Sequence, residues 1–259
     1  MFLFACNQNE KANNQSETET DHEETTEETS DHEEHWSYDG ETSPEHWDEI
    51  LKDSDCDGMY QSPINITNYI QNDSLQPVKV FFKDSTMIHE VLNNGHTIQY
   101  NFKSSDYIMF DDVKYYIKQF HFHEPEEHLI DGVRYPLAVH MVHMSEDGGY
   151  AVVAVMAKEG ERSKTFDVLE EFLPVQVGET KVIDKIVNLK VSFPENKSYF
   201  HYIGSLTTPP CTENVKWFVM KDPINISLEQ ANVIRELMPL NNYRDQQPIN
   251  GRNIKLYSE

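Results

Sequence analysis

Ten residues, QFHFHEPEEH at positions 119–128, bring three histidines and three glutamates together. The residues that lead into this segment alternate in the manner of a β-strand over 115–123. Side chains along a strand point alternately to its two faces, so His121 and His123 project from the same face. Two imidazoles on one face are candidate metal ligands, and a third ligand must come from another segment.

A hairpin signal, Asp131-Gly132, follows this strand. A tight turn there would set His123 directly opposite His140. Opposed residues share a face, so His140 is the third candidate ligand, whereas His143 falls on the other face. Because Pro125 interrupts the ladder, the prediction concerns the shared face more than the pairing itself.

Three neutral imidazoles without a thiolate suit zinc and leave the fourth tetrahedral position open for water. Zinc held in this way lowers the pKa of its water to about 7, which supplies hydroxide at neutral pH. Two alternatives compete with this hypothesis. Histidines on a sheet face can simply be packed and hydrogen-bonded. The HExxH helix of zinc proteases fails on spacing, because His123 and His128 lie five positions apart and Pro125 breaks the required helix.

The elements that must position these residues are mostly strands. Residues 91–102 predict a hairpin with Asn94-Gly95 at its turn, and the apolar run 150–157 predicts a buried central strand. Convincing helical patterns occur at 163–175 and 227–238. The sequence therefore predicts a mostly antiparallel β domain with a few peripheral helices.

Charge and composition exclude other classes of protein. The 259 residues carry a formal net charge of −24, which is incompatible with the clustered Lys and Arg of a nucleic-acid binder. Residues 7–35 contain eleven acids, one lysine and no large apolar residue, so we expect a disordered acidic tether. No stretch approaches the roughly 18 apolar residues of a membrane span.

The first six residues suggest a lipid anchor. Leu3-Phe4-Ala5-Cys6 is similar to a bacterial lipobox, in which the cysteine becomes the lipidated first residue. Residues 1–6 are therefore interpreted as a lipobox or a truncated signal remnant, although only five residues precede Cys6 and a chance match is the alternative. We expect an exported protein, periplasmic or anchored through Cys6 to a bacterial membrane. The odd cysteine count then suggests one disulfide and one thiol with another fate.

Nine motifs run from Trp36 to the C-terminus: HWSY, SPEHW, QSPINI, LNNGH, QFHFH, EEH, VHMVH, GSLTTPPCTENVKW and NNYRDQQPINGR. Together they resemble the α-class carbonic anhydrases of bacterial type. The resemblance implies one catalytic domain over 36–259, built on a ten-stranded, twisted, mostly antiparallel sheet. It also implies Zn2+ as cofactor and the reversible hydration of carbon dioxide to bicarbonate and a proton by a zinc-bound hydroxide.

The resemblance assigns roles one residue at a time. Thr207 resembles the threonine that accepts a hydrogen bond from the hydroxide and donates its own proton to a buried carboxylate, here Glu127. His96 resembles the proton shuttle, and Tyr38 and Asn93 resemble residues that order the connecting waters. The zinc ligands correspond to His121, His123 and His140. The substrate pocket corresponds to Thr208, Val142, Val152, Leu206 and Trp217.

Ligand histidines normally donate their outer N–H to an oriented acceptor. Gln119 resembles this acceptor for His121, and the backbone carbonyl near Asn242 resembles it for His123. The position two residues before His140 usually bears a glutamate in this family, but the residue here is Ala138. The resemblance therefore does not say which group accepts a hydrogen bond from the outer N–H of His140.

The resemblance also pairs Cys56 with Cys211, which implies an oxidising compartment. It makes Ser62-Pro63 and Pro209-Pro210 cis. Two alternative functions remain: a catalytically weak or silent binding module of the same fold, and a zinc esterase. The oligomeric state is left open, with a dimer as one alternative.

Overall fold

The computed structural model describes residues 35–83 and 86–259. The predictions for Cys6 and for residues 7–34 of the acidic segment lie outside the described residues. The strands are β1 (Asn65–Ile66), β2 (Ile70–Gln71), β3 (Lys79–Phe81), β4 (Thr86–Asn93), β5 (Ile98–Phe102), β6 (Tyr107–Phe110), β7 (Val113–His123), β8 (Leu129–Ile130), β9 (Leu137–Met144), β10 (Tyr150–Glu159), β11 (Thr180–Val187), β12 (Tyr199–Ser205), β13 (Glu213–Met220), β14 (Ile224–Ile226) and β15 (Lys255–Tyr257).

One large mixed sheet dominates the described chain. Ten strands follow one another in the order β11-β4-β5-β7-β9-β10-β13-β12-β15-β2, and β3, β6 and β14 pair outside this path. Most neighbours are antiparallel, but β10 runs parallel to β13. The predicted ten-stranded, mostly antiparallel architecture is confirmed, with three short strands added.

The helices are short and peripheral. They are α1 (Trp47–Ile50), α2 (Lys164–Glu170) and α3 (Leu228–Arg235), with 3-10 turns at Gly40–Thr42, Pro44–His46 and Leu189–Ser192. Ser163 and Ser227 cap α2 and α3 by accepting hydrogen bonds from backbone N–H groups of the first turn. Both helices end earlier than their sequence patterns predict. Among the described residues, no helix combines the length and the apolar character needed to cross a bilayer.

Strand β10 is central, and its composition follows from that position. It lies between β9 and β13, and residues 151–157 are all buried. A strand covered on both faces needs apolar side chains at every position. Val153 and Val155 pack into the larger core on one face, and Val152 and Ala154 pack into a second core on the other. The second face also carries Trp217 and the candidate site.

The disulfide expected from the resemblance is confirmed: Cys56 and Cys211 are bonded, 155 residues apart in sequence. The Ser62-Pro63 and Pro209-Pro210 bonds are cis as expected, and so are Glu124-Pro125 and Leu173-Pro174. The bridge therefore ties the segment before β1 to the loop between β12 and β13. That loop carries Leu206, Thr207 and Thr208.

Candidate metal centre and substrate pocket

Three imidazoles converge on the second face of the sheet. One ring nitrogen from each of His121, His123 and His140 lies within 4.8 Å of the others. The Nε2 atoms of His121 and His123 are 3.1 Å apart. The His140 ring centroid is 4.6 Å from that of His123 and 5.6 Å from that of His121.

The predicted pairing of His123 with His140 is wrong, although both residues do share a face. His140 pairs with His121, and His123 pairs with Ala138. The Asp131-Gly132 turn forms where expected, but it closes only a local bridge between Ile130 and Val133. The chain between β7 and β9 is therefore not a simple hairpin. The register differs from the prediction by two residues, and an even shift preserves the face.

His143, the competing candidate, lies on the other face. It is fully buried, its ring is stacked 6.1 Å from that of Phe82, and its Nδ1–H donates to the Met141 carbonyl at 2.9 Å. Burial lowers the pKa of His143 to about 4. This residue is a packed core histidine, and it takes no part in the three-histidine cluster.

Two of the three rings are oriented by hydrogen bonds from their outer nitrogens. His121 Nδ1–H donates to Gln119 Oε1 at 2.9 Å, and His123 Nδ1–H donates to the Asn242 carbonyl at 2.6 Å. These are the two hydrogen bonds that the resemblance implies. With the proton on Nδ1, each Nε2 presents a lone pair to the cluster. Burial lowers the pKa of His123 to about 4 and that of His121 well below its ordinary value, so both rings are neutral at pH 7.

The third ring, His140, makes no such hydrogen bond from its outer nitrogen to any described residue. Its Nδ1 is 3.7 Å from Glu127 Oε2, an atom that also lies 3.4 Å from His123 Nε2. Nδ1 of His140 therefore faces the cluster. Its Nε2 is buried and has no hydrogen-bond partner among the described residues.

Glu127 is fully buried beside the cluster. Its Oε1 accepts the Arg244 backbone N–H at 2.9 Å, whereas its Oε2 has no hydrogen-bond partner in the described part of the chain. Burial raises the pKa of Glu127, and this effect is opposed by His140 and by the Thr207 hydroxyl. The structure thus brings Thr207 and Glu127 together as expected.

An open pocket lies against the cluster. It is lined by Gln119, His121, His140, Val142, Tyr150, Val152, Leu206, Thr207, Thr208 and Trp217. Trp217 is anchored because its indole N–H donates to the Ser205 carbonyl at 2.9 Å. The apolar side chains predicted for the substrate pocket are therefore neighbours. Tyr150 was not predicted, because a tyrosine at the start of an apolar strand carries no sign of facing a pocket.

His96 sits at the turn between β4 and β5, with its ring stacked on Trp36 at 3.6 Å and an interplanar angle of 8°. Tyr38 is nearby, with its ring centroid 6.2 Å from that of His96. Partial burial lowers the pKa of His96, and His35 adds to this effect.

The prediction that Asn93 orders water is wrong. Asn93 is buried, and its amide N–H groups donate to the carbonyls of Val175 and Leu237. Its Oδ1 accepts the Gly95 N–H at 3.0 Å. Backbone groups therefore use both ends of the amide, and the residue holds the turn.

The donor set fits zinc. Zinc prefers imidazole nitrogens in a tetrahedral arrangement, and a catalytic site supplies three of them and keeps one position open. Here three imidazole rings converge beside an open pocket, and Nδ1 of His140 has its lone pair free for a metal if the proton is on Nε2. These donors would hold a zinc ion without any protein group occupying the fourth position.

Comparison with known proteins agrees with this geometry. Residues 42–258 match the family model for eukaryotic-type carbonic anhydrase. The chain is 39% identical over 224 residues to the carbonic anhydrase of Klebsiella pneumoniae and 36% identical over 222 residues to that of Pectobacterium atrosepticum. Each match covers 85% of this chain and 90% of the relative.

A solved structure gives the same result. The α-carbonic anhydrase from Thermovibrio ammonificans, in complex with the inhibitor sulfanilamide, superposes with a TM-score of 0.81 at 36% identity. The match covers 85% of this chain and 98% of that structure. The family-model match spans well over half of the chain, and the relatives exceed 30% identity over most of their length. The chain is therefore an enzyme of the eukaryotic-type, or α-class, carbonic anhydrase family.

Proposed function

We propose that this enzyme hydrates carbon dioxide reversibly through a zinc ion held by His121, His123 and His140. The observation that carries the proposal is the convergence of three imidazoles beside a pocket whose walls include Val142 and Trp217. When bound, zinc would lower the pKa of a coordinated water to about 7, as is known for carbonic anhydrase itself, and so supply a nucleophile at neutral pH. The apolar walls suit an uncharged substrate.

Thr207 and Glu127 would orient the nucleophile. Glu127 has a free Oε2 buried next to Thr207, so it can accept a hydrogen bond from the threonine hydroxyl. A threonine hydroxyl that donates to a carboxylate has only acceptor capacity left on its other side. Thr207 would then select a group that donates a hydrogen bond to it. Thr208 would contact the bicarbonate product.

His96 would carry the released proton to solvent. It is half-buried at a turn, and imidazole is the side chain whose ordinary pKa lies close to neutrality. The Tyr38 ring centroid is 6.2 Å from that of His96, and burial together with the nearby Glu127 carboxylate raises the pKa of Tyr38. We propose that Tyr38 helps to order the waters between His96 and the cluster.

His96→Ala is expected to slow turnover in dilute buffer by about ten- to a hundredfold, because proton export loses its acceptor. Added imidazole should restore part of the rate, while exchange between carbon dioxide and bicarbonate at equilibrium should barely change. Stopped-flow hydration in weak and strong buffer measures both effects. His89→Ala is a matched control, since His89 pairs with Asp184 on the β4–β11 side of the sheet. Unchanged hydration of His96→Ala in weak buffer would remove the shuttle assignment.

One experiment tests the proposed function directly. Purified protein is assayed for zinc content and for carbon dioxide hydration, with and without a sulfonamide. We expect about one zinc per chain and hydration that the sulfonamide inhibits. Stoichiometric zinc without hydration would favour the silent binding module, and the absence of zinc would overturn the proposal.

We also propose an extracytoplasmic location. The Cys56–Cys211 disulfide is of the kind that persists in oxidising compartments such as the bacterial periplasm. Lipid attachment at Cys6 is a further part of this proposal, and mass spectrometry of membrane-extracted protein would detect the added acyl chains.

A further inference from the structure

The outer nitrogen of His140 lacks the support that the other two rings receive. Gln119 stands two residues before His121 on the same strand face and accepts its Nδ1–H. The equivalent position before His140 is Ala138, a fully buried side chain with no acceptor. A metal on Nδ1 would place the imidazole proton on Nε2, which then needs an acceptor in a site without access to water.

Glu126 lies on that side of the ring. Its Oε1 is 3.7 Å from His140 Nε2, and both side chains are inaccessible to solvent. The same oxygen accepts the backbone N–H of His128 at 2.8 Å and the Nδ1–H of the His128 ring at 3.1 Å. Its Oε2 is buried and, among the described residues, has no partner. The His140 ring and the Glu126 carboxylate face each other, and each holds a buried polar atom without a hydrogen bond to any described residue. One hydrogen bond between the two groups would reduce the free-energy cost of burying these atoms unpaired.

The position of Glu126 is well fixed. Its backbone N–H donates to the Tyr135 carbonyl at 3.0 Å, and its carbonyl accepts from the Arg134 guanidinium at 2.6 Å. The carboxylate is also the start of a chain of contacts, because His128 Nε2 lies 2.7 Å from the Tyr202 hydroxyl, which lies 2.8 Å from that of Ser62. A carboxylate held in this way needs little rearrangement to reach His140.

We propose that Glu126 is the positioning residue for His140: it accepts the Nε2–H, fixes the tautomer that presents Nδ1 to the metal, and joins this ligand to His128. The inference rests on the proposed zinc function. A carboxylate that accepts from a ligand histidine raises the basicity of the ligand and fixes the orientation of its ring. Glu126 would therefore act on metal affinity through His140, without contacting the metal or the substrate.

The test is Glu126→Gln, which keeps the shape of the side chain but removes its charge. We expect zinc affinity to fall about 10- to 100-fold, measured by competition with a chromophoric chelator. Glu124→Gln is the matched control, since Glu124 lies in the same segment but its carboxylate pairs with Arg235. Thermal unfolding of the metal-free variants separates a loss of fold from a loss of metal affinity.

A rescue variant distinguishes positioning from packing. Ala138→Glu places a carboxylate two residues before His140 on the same face, and in the Glu126→Gln background it should recover most of the lost affinity. Nitrogen-15 NMR of the zinc-loaded parent should show His140 protonated on Nε2, with the strongly downfield proton of a hydrogen bond to a carboxylate.

The outcomes separate this inference from the proposed function. A parent protein without zinc would defeat the proposed function. A parent that binds zinc, with Glu126→Gln within about threefold of it, would overturn the role of Glu126 alone. A loss of affinity that Ala138→Glu does not recover would also overturn it, because the effect would then come from packing around His128.

Discussion

His140→Ala is expected to abolish stoichiometric zinc binding and to lower carbon dioxide hydration by several orders of magnitude. The variant removes one of three converging nitrogens, and two imidazoles are too few for a three-ligand zinc site. His143→Ala, three positions further along β9, should leave zinc content and hydration nearly unchanged. Its ring lies on the opposite face against Phe82, so its loss should cost only folding stability, by about 1–3 kcal/mol.

Both variants are compared by zinc content after dialysis and by stopped-flow hydration, with circular dichroism as a check of folding. Equal losses of zinc in the two variants would contradict the assignment of faces on β9. Retention of one zinc per chain by His140→Ala would show that the ion binds elsewhere.

Replacing both Cys56 and Cys211 with serine is expected to lower the free energy of unfolding by about 4–5 kcal/mol. The bond closes a loop of 155 residues, and in the chain-entropy model the stabilisation grows with the logarithm of loop length. The effect is large beside the total stability of about 5–15 kcal/mol that is typical of folded domains. Activity should also fall, since the bridge restrains the loop that carries Thr207 and Thr208.

Urea unfolding of the parent, of the reduced parent and of the double variant measures this effect. The reduced parent is the matched control, because it loses the bond but keeps both side chains. A difference below about 1 kcal/mol between oxidised and reduced protein would contradict the expected stabilisation.

The face of each candidate ligand could be predicted from the sequence, whereas the pairing of the strands could not. The face of a side chain depends only on whether it stands an odd or an even number of residues along the strand. His121, His123 and His140 all lie on the predicted face. Pairing depends on every residue between the strands. Pro125 and the bridge between Ile130 and Val133 lie on that path, and no local signal in the sequence gives the number of residues that the path takes up before β9 begins.

Glu126 shows a second limit of prediction from the sequence. It stands in the irregular segment after β7, where neither the period of a strand nor that of a helix tells which way a side chain points. Its proximity to His140 arises from tertiary packing between residues fourteen positions apart in sequence. The alanine at 138 was the one available signal, because a missing acceptor beside a buried imidazole implies that another group supplies it.

The outer hydrogen bonds of His121 and His123 have a consequence for the apoprotein. Both acceptors belong to the folded chain itself: one is the Gln119 side chain, on the same face of β7 as His121, and the other is the backbone carbonyl of Asn242. These two ligand rings are thus preorganised, and loading the ion need not be coupled to folding as it is in zinc fingers. Chelation should accordingly yield an empty but native scaffold, which a metal can refill reversibly, with little of the binding free energy consumed in ordering the chain.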